Sequence, residues 1–284
     1  MTIQQLKTQF VCSVSGIYTA SETALLFEIF CEKILNLNRV QIRNGALEIE
    51  ENDFSEFNSK LHELQTGKPY QHIFGEADFF GRTFFVNENV LIPRPETEEL
   101  LELAIKTIQN SKLKTQNLKI LDIGTGSGVI PIVLKTHFPE AEVWAMDISA
   151  KALETARKNA EKHRTEIHFL QADYLNTEIE EKFDVLISNP PYIGQNEHAE
   201  ISHGVKDFEP DLALFSPTED SLIFYRKIAA DARHCLNENG LVFLEINQKY
   251  GKETLALFRD FPESRLIKDI SGNERFVVAG CKLN

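Results

Sequence analysis

Leu118-Lys119-Ile120-Leu121-Asp122-Ile123-Gly124-Thr125-Gly126-Ser127-Gly128 decides how the rest of the chain is read. A short apolar run passes directly into three glycines at alternate positions, and an apolar segment running to about residue 137 reads as the helix that follows. Glycines at a strand-to-helix turn allow a tight bend and let a ligand approach the backbone closely. Asp147 closes the next strand, about 20 residues on, where an acid binds ribose hydroxyls in nucleotide-binding folds. Gly124, Thr125, Gly126, Ser127, Gly128 and Asp147 are therefore candidate cofactor-binding residues. The combination fits any adenosine cofactor. Dinucleotide sites space their glycines G-x-G-x-x-G. Here the spacing is G-x-G-x-G, with Val129 three residues after Gly126, which leans toward a cofactor that needs no pyrophosphate seat.

Working outward, strands are expected at about 118–123, 141–147, 166–171, 183–188, 241–246 and 275–280. Helices are expected from Pro95, from Ser149, through about 219–236 and through about 250–259. Alternation of this kind implies a doubly wound, mostly parallel α/β sheet in which the first strand neighbours the fourth. One of the last two strands is a candidate for antiparallel pairing. Before this region, residues 70–92 are aromatic and β-branched with Gly75 and Gly81 as punctuation, and read as a hairpin or two short strands. Residues to about 65 read as a helical bundle. Ser21 is a plausible N-cap, and the stripes Leu26, Ile29, Phe30, Ile34 and Phe54, Phe57, Leu61, Leu64 supply core faces.

Asn189-Pro190-Pro191-Tyr192 follows the strand Phe183–Ser188 directly. Two prolines at a strand end present carbonyl oxygens and no N–H, and Asn189 adds a side-chain acceptor. A stiff cluster of acceptors suits an –NH2 group. Gripping both N–H groups leaves the nitrogen lone pair aimed at an electrophile, so the gain is one of orientation and polarisation. Tyr192 is placed to stack on a planar group. Asp173-Tyr174, after the third strand, reads equally as an adenine-flanking pair or as a capping Asp beside a core-edge Tyr. Residues 194–217 form a long connection carrying His198, His203, Asp207, Glu209 and Asp211, and are expected to cover a substrate.

Composition narrows the classes. The 284 residues are 42% hydrophobic and 26% charged, as in ordinary globular chains, which excludes collagen-like and disulfide-scaffold classes. A net charge of −13 argues against direct binding of nucleic acid. No apolar run approaches the ~18 residues of a membrane span, and the first residues do not read as a secretory signal. The four cysteines, Cys12, Cys31, Cys235 and Cys281, have no metal or dithiol spacing, so a reducing cytoplasm and no metal are expected.

Taken with these motifs, the sequence resembles the PrmC (HemK) family of S-adenosylmethionine-dependent methyltransferases. That family methylates a glutamine side-chain amide in class I peptide chain release factors. The matching stretches are GKPYQHIFG, LIPRPETEEL, ILDIGTGSGVI, Asp147 with Asn159-Ala160, FDVLISNPPYI, Glu209-Pro210 with Ala213-Leu214-Phe215, LEIN and GNERFVVA. Arg94-Pro95-Glu96-Thr97 separates this family from ribosomal-protein glutamine methyltransferases, which share Asn-Pro-Pro-Tyr. The resemblance implies a helical bundle over residues 1–68 that recognises the substrate, a hairpin linker over 69–92, and a Rossmann-like, seven-stranded methyltransferase domain over 93–284. It implies that residues 124–128, Asp147, Asp173, Tyr174 and Asn189 contact S-adenosylmethionine. It implies that Asn189, Pro190, Pro191 and Tyr192 contact the substrate glutamine. A cytoplasmic monomer is expected. Tyr174 stands where the family often has Trp. Asn247 replaces a glycine common after the LEI strand and is expected to alter a turn away from the chemistry. The rival reading is an N6-adenine nucleic-acid methyltransferase, because an exocyclic amine fits the same grip. An NAD-dependent dehydrogenase and a non-catalytic adaptor are more distant rivals.

Overall fold

The computed structural model describes residues 1–113, 116–194 and 207–280. They divide into two compact units, residues 1–75 with 207–208 and residues 76–194 with 209–280.

The first unit is helical: α1 (Ile3–Ser13), α2 (Ala20–Leu35), α3 (Arg39–Arg43), α4 (Glu51–Gln65) and α5 (Tyr70–Phe74). Apolar residues recurring every three or four positions put Leu6, Phe10, Phe27, Phe30, Phe57, Leu61 and Leu64 in one core. Phe10, Phe27, Phe30 and Phe57 meet edge to face with centroids 5.4 to 6.3 Å apart. The N-cap of α2 lies two residues before the expected one. Thr19, not Ser21, is the N-cap, because Thr19 and Glu22 exchange side-chain and backbone hydrogen bonds as a capping box. Residues 70–74 form a helix and not a strand. Pro69 at its start and Gly75, left-handed at φ 70°, punctuate a single helical turn despite the aromatic composition.

The second unit opens with the hairpin β1 (Glu76–Phe79) and β2 (Arg82–Phe85). α6 (Pro95–Asn110) follows, with Pro95 at its first position and Glu96 and Glu98 in the first turn, near the positive end of the helix dipole. Then come β3 (Lys119–Ile123), α7 (Val129–His137), β4 (Glu142–Asp147), α8 (Ala150–Lys162), β5 (His168–Gln171) and β6 (Phe183–Ser188). The chain continues through α9 (Asp211–Leu214), α10 (Ile223–Cys235), β7 (Leu236–Glu245), α11 (Gly251–Ala256), β8 (Glu263–Lys268) and β9 (Glu274–Gly280). The sheet has seven strands in the order β5-β4-β3-β6-β7-β9-β8, parallel except where β9 pairs antiparallel with β7 and β8.

Side chains alternate across the sheet. Ile120, Val143, Val185 and Phe243 pack under α6 and α7, while Leu121, Met146, Leu186 and Val242 pack on α10. The sequence pattern predicts no strand at β8. Glu263 to Lys268 lie at the sheet edge with a half-exposed, charged pattern, which masks the alternation that marks a strand.

For the site, register is what matters. Ile123 pairs with Met146 on one side and Ser188 on the other, and Ser188 pairs with Leu244. The carboxyl ends of β4, β3, β6 and β7 therefore finish at one level, and the next residues are Asp147, Gly124, Asn189 and Glu245. Among the described residues, no helix is long and apolar enough to cross a membrane.

Candidate functional site

A cavity of about 880 Å³ opens at these strand ends, within the range of small-molecule sites. Gly124 to Ser127, Asp147, Asp173, Tyr174, Asn189, Pro190 and Pro191 are all in its wall. The structure thus brings together nearly every candidate residue. Gly128 and Tyr192 are not in the wall.

The glycine turn is built for close approach. Gly124, Gly126 and Gly128 have φ of 78°, 56° and 80°, a conformation that side chains rarely adopt. A Cβ on Gly124 or Gly126 meets nothing within 4 Å, whereas one on Gly128 falls 3.0 Å from the Ala156 Cβ. The first two glycines leave room at the cavity, and the third lets α7 sit against α8.

Asp147 holds this turn. One carboxylate oxygen accepts from Gly126 N–H at 2.9 Å and the other from Ser149 N–H at 2.8 Å. Burial raises its pKa, and these N–H donors oppose the rise. Asp122 lies behind the turn on β3, fully buried. Neither of its carboxyl oxygens completes a hydrogen bond among the described residues. Burial pushes it up to about 7, opposed by the Thr125 hydroxyl and aided by the Asp147 charge. Asn159, also fully buried, ties the hairpin to the same turn. Its side chain donates to the carbonyls of Phe85 at 2.9 Å and Ser127 at 2.8 Å and accepts from Phe85 N–H at 2.7 Å.

Asp173 caps a short 3-10 turn, accepting from Leu175 N–H at 3.1 Å and from the Asn176 amide at 2.6 Å. Tyr174 is buried at the cavity edge with Lys227 Nζ 5.0 Å from its ring centroid. Burial, then the Asp231 charge, raises its phenol pKa. Lys227 is itself held by Asp231 at 2.7 and 2.9 Å and by the Thr177 carbonyl.

On the far side of the cavity, Asn189 donates its side-chain N–H to Thr97 Oγ1 at 3.1 Å, and no donor among the described residues reaches its Oδ1. The Tyr192 ring packs against the lower core. Its carbonyl accepts from the Asn247 side-chain amide at 3.2 Å. Asn247 therefore does not act away from this segment, as its departure from glycine suggested. It braces the segment directly, because β7 ends beside β6. The residue after Tyr192 is fixed too: Ile193 N–H donates to Leu214 O at 3.2 Å, and Ser216 N–H to Ile193 O at 2.8 Å. Glu209, 5% exposed, accepts from Ile92 N–H at 2.9 Å and from Arg94 at 2.5 Å, anchoring the chain that leads into α9. Pro210 to Ala213 and Phe215 to Thr218 line the cavity. His198 and His203 lie outside the described residues.

Sequence reasoning passed over Asp122, Asn159, Glu209 and Glu245 as site residues. All four belong to stretches that carried the resemblance, so a signal existed for them. Thr97 and Glu245 are 148 positions apart and meet only through the sheet.

Residues 102–205 match the model of the methyltransferase small domain family. The chain is 45% identical over 282 residues to a protein of Flavobacterium psychrophilum named release factor glutamine methyltransferase, covering 98% of each. It is 38% identical to a Bacteroides thetaiotaomicron protein of the same name, covering 94% of this chain and 96% of that one. A Streptococcus pneumoniae protein, again of that name, is 47% identical over 76% of both chains. Among solved structures, the hMettl16 catalytic domain in complex with MAT2A 3'UTR hairpin 1 aligns with a TM-score of 0.52 over 84% of each chain. At 14% identity, that likeness shows the fold.

Proposed function

The chain belongs to the release factor glutamine methyltransferase family, and from that premise we propose how its site carries the family's reaction. It transfers a methyl group from S-adenosylmethionine to the side-chain amide nitrogen of a glutamine in class I peptide chain release factors. The carrying observation is the juxtaposition of the glycine turn and Asn189 at adjacent strand ends, one cavity wide.

The residues present fit that cofactor. Asp147 and Asp173 stand in the wall and offer carboxylate oxygens to the donors of a nucleoside. A buried carboxyl without a hydrogen-bond partner among the described residues, Asp122, stands behind the turn. Lys151 and Lys227 line the same wall, so the fit rests on these acceptors and not on net charge. The open space over Gly124 and Gly126 admits its close approach. S-adenosylmethionine supplies a methyl carbon on a sulfonium, which is already an electrophile. Gly124 to Ser127 and Asp147 hold the cofactor, Asp147 through lone pairs left after its backbone contacts, while Gly128 seats the turn by letting α7 pack on α8. Asp173 and Tyr174 flank its base.

On the acceptor side, Asn189 Oδ1 and the Pro190 carbonyl take the two N–H groups of the glutamine amide. Pro190 and Pro191 keep that corner free of competing donors. Held this way, the nitrogen is oriented and its N–H bonds are polarised, so no strong base is needed before attack. Tyr192, whose ring packs on the core, anchors the segment from behind and does not itself line the cavity. The helical segment 1–68 recognises the protein substrate, 69–92 links it, and 93–284 carries the chemistry. The protein acts as a cytoplasmic monomer and does not engage nucleic acid, a view supported by its charge of −13. Incubation with labelled cofactor and either release factor or nucleic acid tests the reading. Label in the release factor alone is the expected result, and label in nucleic acid overturns it.

A further inference from the structure

A side-chain amide has two ends of nearly the same shape, one an acceptor and one a donor. If Asn189 turned its NH2 to the cavity, it would face the substrate NH2 donor to donor. Something must choose the orientation. We propose that Thr97 and Glu245 are positioning residues that hold the Asn189 amide with its carbonyl oxygen toward the cavity. This rests on the reading above, in which Asn189 grips the glutamine amide.

The contacts run in one line. Asn189 Nδ2 lies 3.1 Å from Thr97 Oγ1, and Thr97 Oγ1 lies 2.7 Å from Glu245 Oε2. Thr97 has a single hydroxyl proton. Given to the Glu245 carboxylate, it leaves only lone pairs toward Asn189, which must then present its N–H. Thr97 is 3% exposed and Glu245 1%, so bulk water does not compete for these bonds. The two come from separate elements, the first turn of α6 and the end of β7. The carboxyl end of β7 is fixed beside that of β6 by the ladder.

The relay also has a proton dependence. Arg275 from β9 and Arg94 and Glu96 at the start of α6 act on Glu245, whose charge in turn raises the Tyr192 and Tyr225 phenols that face it. Burial lifts its carboxyl to about 7, opposed by the Thr97 hydroxyl, Arg275 and Arg94, with Glu96 adding to the rise. Once protonated, Glu245 becomes a donor to Thr97. The Thr97 proton then swings to Asn189, and the amide is free to turn its NH2 inward. Orientation is therefore secured on the alkaline side.

Three variants of the full chain test this: Thr97→Val, Thr97→Ser and Glu245→Gln. Steady-state methylation of a release factor is measured across pH, alongside titration with S-adenosylhomocysteine. Thr97→Val, near in shape but without the hydroxyl, is expected to lower kcat about 30- to 100-fold. Cofactor-site affinity and KM should stay within about threefold, since the change acts on orientation and not on docking. Thr97→Ser restores the hydroxyl and is expected within about threefold of wild type. Glu245→Gln keeps an acceptor but does not titrate, so the fall in kcat expected of wild type below about pH 7 should flatten in this variant. Equal impairment of Thr97→Val and Thr97→Ser, or an unimpaired Thr97→Val, overturns the relay. An unchanged acidic limb in Glu245→Gln overturns the part assigned to Glu245. Wild-type protein that leaves the release factor unlabelled overturns the functional reading and the relay together, a result distinct from failure of the variants.

Discussion

Asp122→Asn separates electrostatics from packing, because it changes charge with little change in shape. The wild-type carboxyl is fully buried, without a hydrogen-bond partner among the described residues, and sits at about 7 instead of 3.8. A group whose folded pKa is raised binds its proton more tightly when native, so stability falls as pH rises from the unfolded value to the folded one. For Asp122 that window runs from 3.8 to about 7. The loss is under about 2 kcal/mol at about pH 5 and about 4 kcal/mol at about pH 8. Asparagine carries its own cost as a buried amide, but that cost does not titrate. The stability of the variant relative to wild type should thus improve by roughly 2–3 kcal/mol between about pH 5 and about pH 8. Glu245 titrates in the same direction in both proteins and cancels. Urea unfolding of cofactor-free protein followed by circular dichroism measures the difference. A gap that stays constant with pH would refute the buried, unpaired carboxyl.

Two further changes probe the packing and hydrogen bonds that support the glycine turn. Gly128→Ala must place a Cβ at φ 80° and 3.0 Å from Ala156, so it should cost about 2–4 kcal/mol and lower Tm by roughly 5–10 °C in a thermal melt. Asn159→Ala strands Phe85 N–H, Phe85 O and Ser127 O in the interior. It should cost about 3 kcal/mol and reduce affinity for S-adenosylhomocysteine by calorimetry, since the turn loses its tie to the hairpin.

What the sequence made legible follows from how local its signals are. The run from Leu118 to Gly128, Pro95 opening α6, and Ser149, which caps α8 through Ala152 N–H at 3.1 Å, are short-range signatures, and the structure shows all three. The strand order about β3 follows from right-handed parallel crossovers, which leave few alternatives. Local cues misled where composition and punctuation disagreed, as at Tyr70–Phe74, or where an edge strand carries charge, as at Glu263–Lys268. Pocket contacts between distant positions carry no local signal at all. Thr97 with Glu245, Asn247 with Tyr192 and Glu209 with Arg94 become neighbours only when β6, β7 and α6 converge. Tyr192 illustrates the limit. Its motif suggested a residue at the cavity, yet its ring packs on the core and its carbonyl accepts from Asn247.

The central claim is that Asn189 and Pro190 hold a glutamine amide for methylation. Fragmentation mass spectrometry of a class I release factor, after incubation with S-adenosylmethionine and either wild-type protein or Asn189→Ala, tests it directly. One methyl group on a single glutamine side-chain nitrogen with wild type, and none with a variant that still binds S-adenosylhomocysteine, is the expected pair of results. An unmodified glutamine with wild type, or full modification with Asn189→Ala, would contradict it.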